Sequence, residues 1–250
     1  MTTSFARLRW LSHSPLASIA LVLLLLASVG CASTQNTTTA NNDTRSNDQR
    51  QAQDLVEQSR MTLDNFMADQ TIGDPVRSLL RRAKAVVIFP GVLKAAFLVG
   101  ASGGNGVALA RDAQGRWSNP AFYTVGGGSF GFQAGGESSE ILLIVMSDRG
   151  LASLQATSAK LGADAGIAAG PVGVGAAAAT ANLSADIVSY LRNKGLFAGV
   201  SLSGAVLATR DALNQAYYGR PISSSDILVR HAASNPQSAR LVGDVQRASS

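Results

Sequence analysis

The chain has 250 residues, of which 15% are charged, 46% hydrophobic and 6% aromatic, and its formal net charge is +5. It contains one cysteine and two histidines, which excludes an intrachain disulfide scaffold and a zinc site built from several Cys and His ligands. The modest positive charge also excludes a strongly basic nucleic-acid-binding coat. The length predicts one globular domain with a tail rather than two domains.

The N-terminus has the features of a secretion signal. Arg7 and Arg9 precede an apolar run over residues 16–29. At 1.5 Å per residue this run covers ~21 Å, which is short of the ~30 Å hydrocarbon core of a bilayer. The pattern therefore predicts a signal peptide over residues 1–30 rather than a membrane-spanning helix.

Small residues lead directly into Cys31, which is the sole cysteine of the chain. This arrangement resembles the lipobox of bacterial lipoproteins, in which the cysteine is acylated and becomes the first residue, although Ser28 stands where the family usually has Leu. The resemblance implies that Cys31 is a lipid anchor. Ala32, which is not Asp, implies the periplasmic face of the outer membrane by analogy. The alternative is an ordinary signal peptide with an incidental cysteine near its cleavage site.

A polar stretch follows the cysteine. Residues 32–47 contain two alanines as their apolar side chains and no aromatic residue. Such a segment cannot bury enough surface to offset its ordering entropy. Residues 31–47 are therefore predicted to form a flexible tether that holds a folded domain, residues 48–230, close to the lipid surface.

A helical segment opens this domain. Apolar residues recur at near-helical spacing over residues 48–68, which predicts an amphipathic helix. Asp74 followed by Pro75 predicts the N-cap and first position of a second, short helix. The short helix carries apolar residues on one side and cations on the other: Val76, Leu79 and Leu80 against Arg77, Arg81 and Arg82, with Lys84 just beyond.

The middle of the chain is predicted to form strands separated by glycine-containing turns. Residues 85–89 indicate a buried strand that ends at Pro90-Gly91, and residues 141–146 indicate another apolar strand. Further strands are predicted over 95–101 and 106–111 around a Gly103-Gly104 turn, over 117–123, within the Gly- and Ala-rich residues 161–181, and over 196–202 with an extension through 203–209.

Short helices are predicted beside these strands. Ser147-Asp148 and Asp211 each indicate a helix start, and residues 223–226 resemble a capping box because Ser and Asp stand three apart. The polar residues 231–250 are expected to form a frayed tail. The fold class is therefore α+β, with an antiparallel-rich, strongly curled sheet or partial barrel, short flanking helices and a preceding amphipathic helix.

The motifs of catalytic chemistry are incomplete. Residues 127–131 match the G-x-S-x-G pattern, but this pattern needs a base and a strand–turn–helix context, and His231 is the one histidine left after the predicted signal peptide is removed. Residues 104–106 begin a dinucleotide fingerprint that lacks its third glycine. Glu137 and Glu140 flank a predicted turn, where solvated carboxylates are the commoner outcome. We therefore predict no catalytic residue, no metal site, no cofactor and no enzymatic activity.

The remaining signal is cationic. Basic residues on an amphipathic segment near a bilayer can bind anionic headgroups, each contributing up to about 1 kcal/mol. The alternative is a solvated helix face. The candidate headgroup-binding residues are Arg77, Arg81, Arg82, Lys84, Lys94, Arg192 and Lys194.

Several strings along the chain resemble one known family. These strings are residues 84–97 (KAVVIFPGVLKAAF), 115–122 (GRWSNPAF), 169–173 (AGPVG), 189–190 (SY), 194–200 (KGLFAGV) and 217–219 (YYG). They resemble the SYLF domain, in the family's order, over about residues 55–230. The resemblance implies phospholipid binding through basic residues and an amphipathic N-terminal helix, reported mainly for phosphoinositides in eukaryotic members. Actin binding belongs to some of those members.

Two functions from different classes follow. The first is a non-enzymatic phospholipid-binding lipoprotein of the bacterial cell envelope, with an anionic lipid such as cardiolipin, phosphatidylglycerol or lipid A as its partner. The second is a structural envelope protein whose glycine-rich sheet binds a protein partner or self-associates, because open sheet edges can recruit a partner strand.

Overall fold

The computed structural model describes residues 36–96, 99–130, 135–172, 184–193, 196–199 and 202–250. The predicted signal peptide, Cys31 and Lys194 lie outside these residues, as does the side chain of Lys94. Residues Thr44–Ser250 form one compact unit, and the residues up to Asp43 form another. Both hydrophobic cores described below lie within Thr44–Ser250, so this unit carries the packing that its fold requires.

Within the described residues, two helices precede the sheet. Helix α1 spans Asn36–Ala68 and helix α2 spans Gly73–Leu80. Residues 36–47, which were expected in the flexible tether, are therefore helical; helix formation is cooperative, and a packed segment extends into a polar one. The predicted N-cap at Asp74 is also wrong, because Asp74 lies in the first turn of α2 and its N-cap position is Ile72.

In the described part of the chain, nine strands form one sheet in the order β5-β9-β3-β2-β1-β4-β7-β6, and β8 pairs with β7 outside this path. All pairings are antiparallel except that of β6 with β7. The strands are Ala85–Ala96 (β1), Val99–Ala110 (β2), Ala121–Phe130 (β3), Gly135–Val145 (β4), Ser158–Lys160 (β5), Ile167–Ala169 (β6), Ile187–Asn193 (β7), Leu196–Gly199 (β8) and Val206–Thr209 (β9). The predicted fold class, α+β with a curled antiparallel-rich sheet, is confirmed.

Strand β1 continues through Pro90 and Gly91, where the sequence predicted its end. The strand bulges there: Phe89 and Pro90 both face Gly106 of β2, because the pairing steps from Ile88↔Val107 to Gly91↔Asn105. A bulge is one of the few places where a strand inside a sheet accepts proline, which has no N–H for the ladder. The residues predicted to form a turn therefore form a local kink within a long strand.

Gly104 and Gly106 allow β2 to pack closely against this bulge of β1. A Cβ added at Gly106 would lie 2.3 Å from the carbonyl oxygen of Ile88, and one added at Gly104 would lie 2.4 Å from that of Gly91. These glycines permit close backbone approach rather than nucleotide binding. The predicted Gly103-Gly104 turn is also wrong, since both residues lie inside β2.

Residues 203–209 do not extend the strand before them, contrary to the sequence-based expectation. Ser203 and Gly204 form a turn, with Gly204 at φ +90. Strand β8 pairs with β7, whereas β9 pairs with β3 and β5. Strands β8 and β9 therefore lie near opposite ends of the strand order.

Helices cover both faces of the sheet, and two hydrophobic cores result. In β1, Val86 and Ile88 enter the first core, whereas Val87 and Phe89 enter the second. A strand covered on both faces is expected to be continuously apolar, as residues 85–89 are. Helices α1, α2, α4 (Asp211–Tyr218) and α6 (Ala239–Ala248) pack on the first core, and α3 (Asp148–Gln155) and α5 (Ser224–Leu228) pack on the second.

The predicted caps of two of these helices are confirmed. Ser147 is the N-cap of α3, and its hydroxyl accepts a hydrogen bond from the Gly150 N–H at 3.0 Å. Ser223 and Asp226 form the capping box of α5. Short polar signals of this kind were readable because capping is a contact between near neighbours in the chain.

The C-terminal residues are ordered, so the prediction of a frayed tail over 231–250 is wrong. A 3-10 turn at Pro236–Ser238 leads into α6, where Leu241 and Val245 are buried in the first core. The Trp117 indole N–H donates to the Ser249 hydroxyl at 2.9 Å. The folded domain therefore extends beyond residue 230.

Candidate functional site

Four cations meet at one end of the sheet, and we call Arg81, Arg82, Lys84 and Arg111 the basic corner. Lys84 begins the approach to β1, where its N–H donates to the carbonyl of Val145 and its carbonyl accepts from the Arg111 N–H, both at 2.8 Å. The Arg111 guanidinium also donates to the Arg81 carbonyl at 2.8 Å. The start of β1 and the end of β2 thus fix Lys84 and Arg111 beside the residues that end α2.

The charges of the basic corner are only partly compensated. Arg81 and Arg82 are exposed. Within the part of the chain that the structure describes, Arg81 and Arg111 have no carboxylate within 4.0 Å, whereas Lys84 pairs with Asp148 at 2.7 Å. The corner consequently carries a net positive charge at the surface.

Arg77, another predicted headgroup-binding residue, is engaged elsewhere. Its guanidinium pairs with Asp74 at 3.0 Å and donates to the Met67 carbonyl at 2.8 Å. These contacts link the end of α1 to α2. Arg77 therefore contributes to the packing of the helices and is not part of the basic corner.

The apolar side of α2 is unavailable for insertion into a bilayer. Val76, Leu79 and Leu80 are fully buried in the first core. The amphipathic pattern that suggested a membrane-facing segment instead reflects packing against the sheet. Contact between this segment and a lipid surface would therefore be electrostatic.

Among the other predicted cations, Arg192 and the backbone of Lys94 lie away from the basic corner. Lys94 lies ten residues beyond Lys84 along β1, and a strand rises ~3.3 Å per residue, so the two backbone positions lie near opposite ends of that strand. Arg192 lies on β7 and pairs with Glu140 at 2.7 Å. Lys194 is outside the described residues. The predicted cations whose side chains the structure describes therefore do not form a single surface.

Glu140, expected as a solvated turn carboxylate, instead connects α1 to the sheet. Its carboxylate accepts hydrogen bonds from Thr62 at 3.1 Å and Asn65 at 3.2 Å, both on α1, and pairs with Arg192. The side chains of Glu140 and Arg192 are 20% and 30% exposed. The pair holds the helix against the strands.

We expect Glu140→Gln to lower the free energy of unfolding by about 2 kcal/mol, because it removes the carboxylate that lies 2.7 Å from the partly buried Arg192 guanidinium. Urea denaturation followed by circular dichroism measures this change. Glu57→Gln is the matched control, because Glu57 is 44% exposed and its partner Arg60 keeps Asp64 as a second carboxylate at 2.8 Å, and exposed pairs contribute about 0–1 kcal/mol. Equal losses in the two variants would contradict a special role for Glu140.

A second carboxylate is fixed next to the basic corner. Asp186 accepts hydrogen bonds from the Ser147 hydroxyl and from the Gly166 N–H. These two bonds lower the pKa of the Asp186 carboxyl below its ordinary value. Asp186 therefore stays ionised and, 3.9 Å from Arg149, partly offsets that cation.

The incomplete catalytic motifs have structural explanations. Ser129 lies within strand β3, where its backbone pairs with Gly100, rather than on a turn between a strand and a helix. His231 lies 3.9 Å from Asp112. Within the described ranges, no three side chains of His, Cys, Asp or Glu are grouped as metal ligands. No described helix is both long and apolar enough to span a bilayer.

Sequence reasoning found three residues of the basic corner and missed Arg111. Residues 85–89 and 106–111 were both predicted to form strands, but the predicted turn at Gly103-Gly104 did not pair them. The observed hairpin brings the start of β1 beside the end of β2. The role of Asp148 as the partner of Lys84 depends on the pairing of β1 with β4, and nothing in the local sequence indicates that pairing.

The fold and site define a class of protein: an α+β domain with a curled sheet between helices, whose candidate site is a charged surface. Residues 126–248 match the family model described as Ysc84, Las17-binding protein actin regulator. The chain is 37% identical over 152 residues to human SH3 domain-containing YSC84-like protein 1, covering 60% of this chain and 44% of that protein. It is 36% identical over 168 residues to Protein YSC84 of Saccharomyces cerevisiae, covering 65% and 35%.

Residues 126–248 of the chain thus match the SYLF (Ysc84) domain family, as the sequence motifs implied. The chain spans less than half the length of these curated relatives. The family match ends at residue 248, which agrees with a folded domain that includes α6.

Proposed function

We propose that this chain is a membrane-anchored, non-enzymatic phospholipid-binding lipoprotein of the bacterial cell envelope, and that its basic corner contacts anionic headgroups. The observation that carries the proposal is the meeting of Arg81, Arg82, Lys84 and Arg111 at one end of the sheet, where Asp148 is the carboxylate that pairs with Lys84. The lipobox-like sequence at Cys31 supports an anchor at the periplasmic face of the outer membrane.

The chemistry of the corner fits a phosphate-bearing surface. Guanidinium groups form paired hydrogen bonds with phosphate oxygens, and each cation near an anionic membrane contributes about 1 kcal/mol. The family description, that of a regulator, supports a binding role over catalysis. Because the apolar residues of α2 are buried, binding should depend strongly on salt.

We expect the double reversal Arg81→Glu and Arg82→Glu to reduce binding to anionic vesicles by roughly tenfold or more, because it removes two attractive charges and adds two repulsive ones. The measurement is vesicle flotation of residues 32–250, which include the compact unit, with phosphatidylglycerol-containing and pure phosphatidylcholine vesicles at two salt concentrations. Circular dichroism confirms that the variant is folded.

The matched control is Arg45→Glu and Arg50→Glu, which makes the same charge change at two exposed positions of α1. Arg50 lies beside Pro90 and Gly91, and Pro90 is six residues after Lys84 in the chain. The control should retain most of the binding. Equal binding of wild type to neutral and anionic vesicles, or equal losses in the two double variants, would reject the proposal.

A protein partner is the second candidate function. Leu93 is 67% exposed on β1, where its neighbours across the sheet are Gly103 and Ser138. These small residues leave an apolar side chain open in the glycine-rich half of the sheet. Relatives described as Las17-binding actin regulators make a protein partner reasonable. Reversing the charges of the basic corner should spare such an activity, whereas Leu93→Asp should weaken it.

A further inference from the structure

Asp148 is placed to limit how strongly the basic corner attracts an anionic surface. It is the first residue of α3, and its carboxylate lies 2.7 Å from the Lys84 ammonium. A negative charge at this end of a helix is stabilised by the helix dipole. The Asp148 carboxylate therefore places a negative charge at the edge of the basic corner.

The ion pair between Asp148 and Lys84 can break, because both side chains are exposed to solvent. Asp148 is 86% exposed and Lys84 is 40% exposed, and ion pairs exposed to this extent are weak. The backbone of Lys84 is fixed by hydrogen bonds to Val145 and Arg111, so the ammonium can change partner without any change in the sheet.

We infer that Asp148 is an internal competitor that keeps Lys84 from lipid headgroups and thereby sets the membrane affinity of the basic corner. This inference rests on the proposed function. An anionic surface must displace the Asp148 carboxylate to engage Lys84, and it also repels that carboxylate. In an Asp148→Asn variant, the basic corner presents its four cations without that competing charge.

The experiment is vesicle flotation of residues 32–250 carrying Asp148→Asn, with vesicles of phosphatidylcholine and phosphatidylglycerol at low and at higher salt. We expect the affinity to rise by about three- to fivefold, the contribution of one cation near a charged surface. The gain should shrink at the higher salt concentration, because salt screens exposed charges.

Two further variants test whether Asp148 acts through Lys84. Asp54→Asn removes the same charge from an exposed position of α1 and should produce a clearly smaller gain. In a Lys84→Met background, Asp148→Asn should also produce a clearly smaller gain. An unchanged affinity for Asp148→Asn, a gain equal to that of Asp54→Asn, or a gain that persists without Lys84 would overturn the inference.

The failure of this inference is distinguishable from the failure of the proposed function. If the Arg81→Glu and Arg82→Glu variant loses binding while Asp148→Asn matches wild type, the corner binds lipid and the competitor role is wrong. If neither wild type nor Asp148→Asn prefers anionic over neutral vesicles, both are wrong.

Discussion

A chain truncated after residue 230 should fail to fold. Helix α6 buries Leu241 and Val245 in the first core, and each such side chain contributes about 1.5–3 kcal/mol when fully buried. The truncation also removes Ser249, which accepts the hydrogen bond of the buried Trp117 indole. Their combined loss approaches the whole stability of an ordinary domain, about 5–15 kcal/mol.

The measurement is thermal unfolding by circular dichroism, with limited proteolysis as a second probe. In the full-length background, Leu241→Ala should lower the free energy of unfolding by about 3 kcal/mol. Arg240→Ala is the control, because Arg240 is exposed on the same helix and should change stability by less than about 0.5 kcal/mol. A truncated chain with the cooperative transition of the full chain would show that α6 is dispensable.

The second large effect is expected for Gly106→Ala. The added Cβ would lie 2.3 Å from the Ile88 carbonyl oxygen and 2.5 Å from the Phe89 ring. Since the first of these atoms is backbone, relief requires movement of β1 at its bulge. We expect a loss of about 3 kcal/mol or more in the free energy of unfolding, at the upper end of overpacking costs.

Gly103→Ala is a matched control on the same strand. Its Cβ would meet the Val125 carbonyl oxygen at 3.6 Å, an ordinary contact. Alanine is less costly than glycine within a strand. The free energy of unfolding of this variant should therefore lie within about 1 kcal/mol of the wild-type value. Urea denaturation of both variants gives the comparison, and similar midpoints for the two would show that the bulge adapts freely.

The sequence predicted elements whose signals are local. The apolar run 85–89, the Ser147 cap and the capping box of Ser223 and Asp226 all involve residues close together in the chain, and the structure confirms them. The family motifs and the α+β class were also correct. In each case the determining interaction lies within one element or follows from its apolar pattern.

The features that sequence reasoning missed depend on residues far apart in the chain. Pro90 and Gly91 looked like the end of a strand, because the glycines that accommodate their bulge lie on another strand. Glu140 looked solvated, because Thr62 and Asn65 approach it from α1. Neither distinction is visible in a short window of sequence.

The C-terminal helix was missed for a different reason. Leu241, Val245 and Ala248 recur at helical spacing, but the surrounding residues are polar enough to resemble a frayed end. The basic corner was predicted in part. Arg81, Arg82 and Lys84 are neighbours in sequence and were predicted together, whereas Arg111 reaches them through the sheet.

The position of the last strand and last helix also constrains the order of events during synthesis. Tyr123 of β3 pairs with Thr209 of β9, and the Trp117 indole N–H donates to the Ser249 hydroxyl beyond α6. Such long-range pairings form slowly, because loop-closure entropy must be overcome first. A nascent chain therefore cannot complete its sheet and its first core until residues 206–248 have been synthesised.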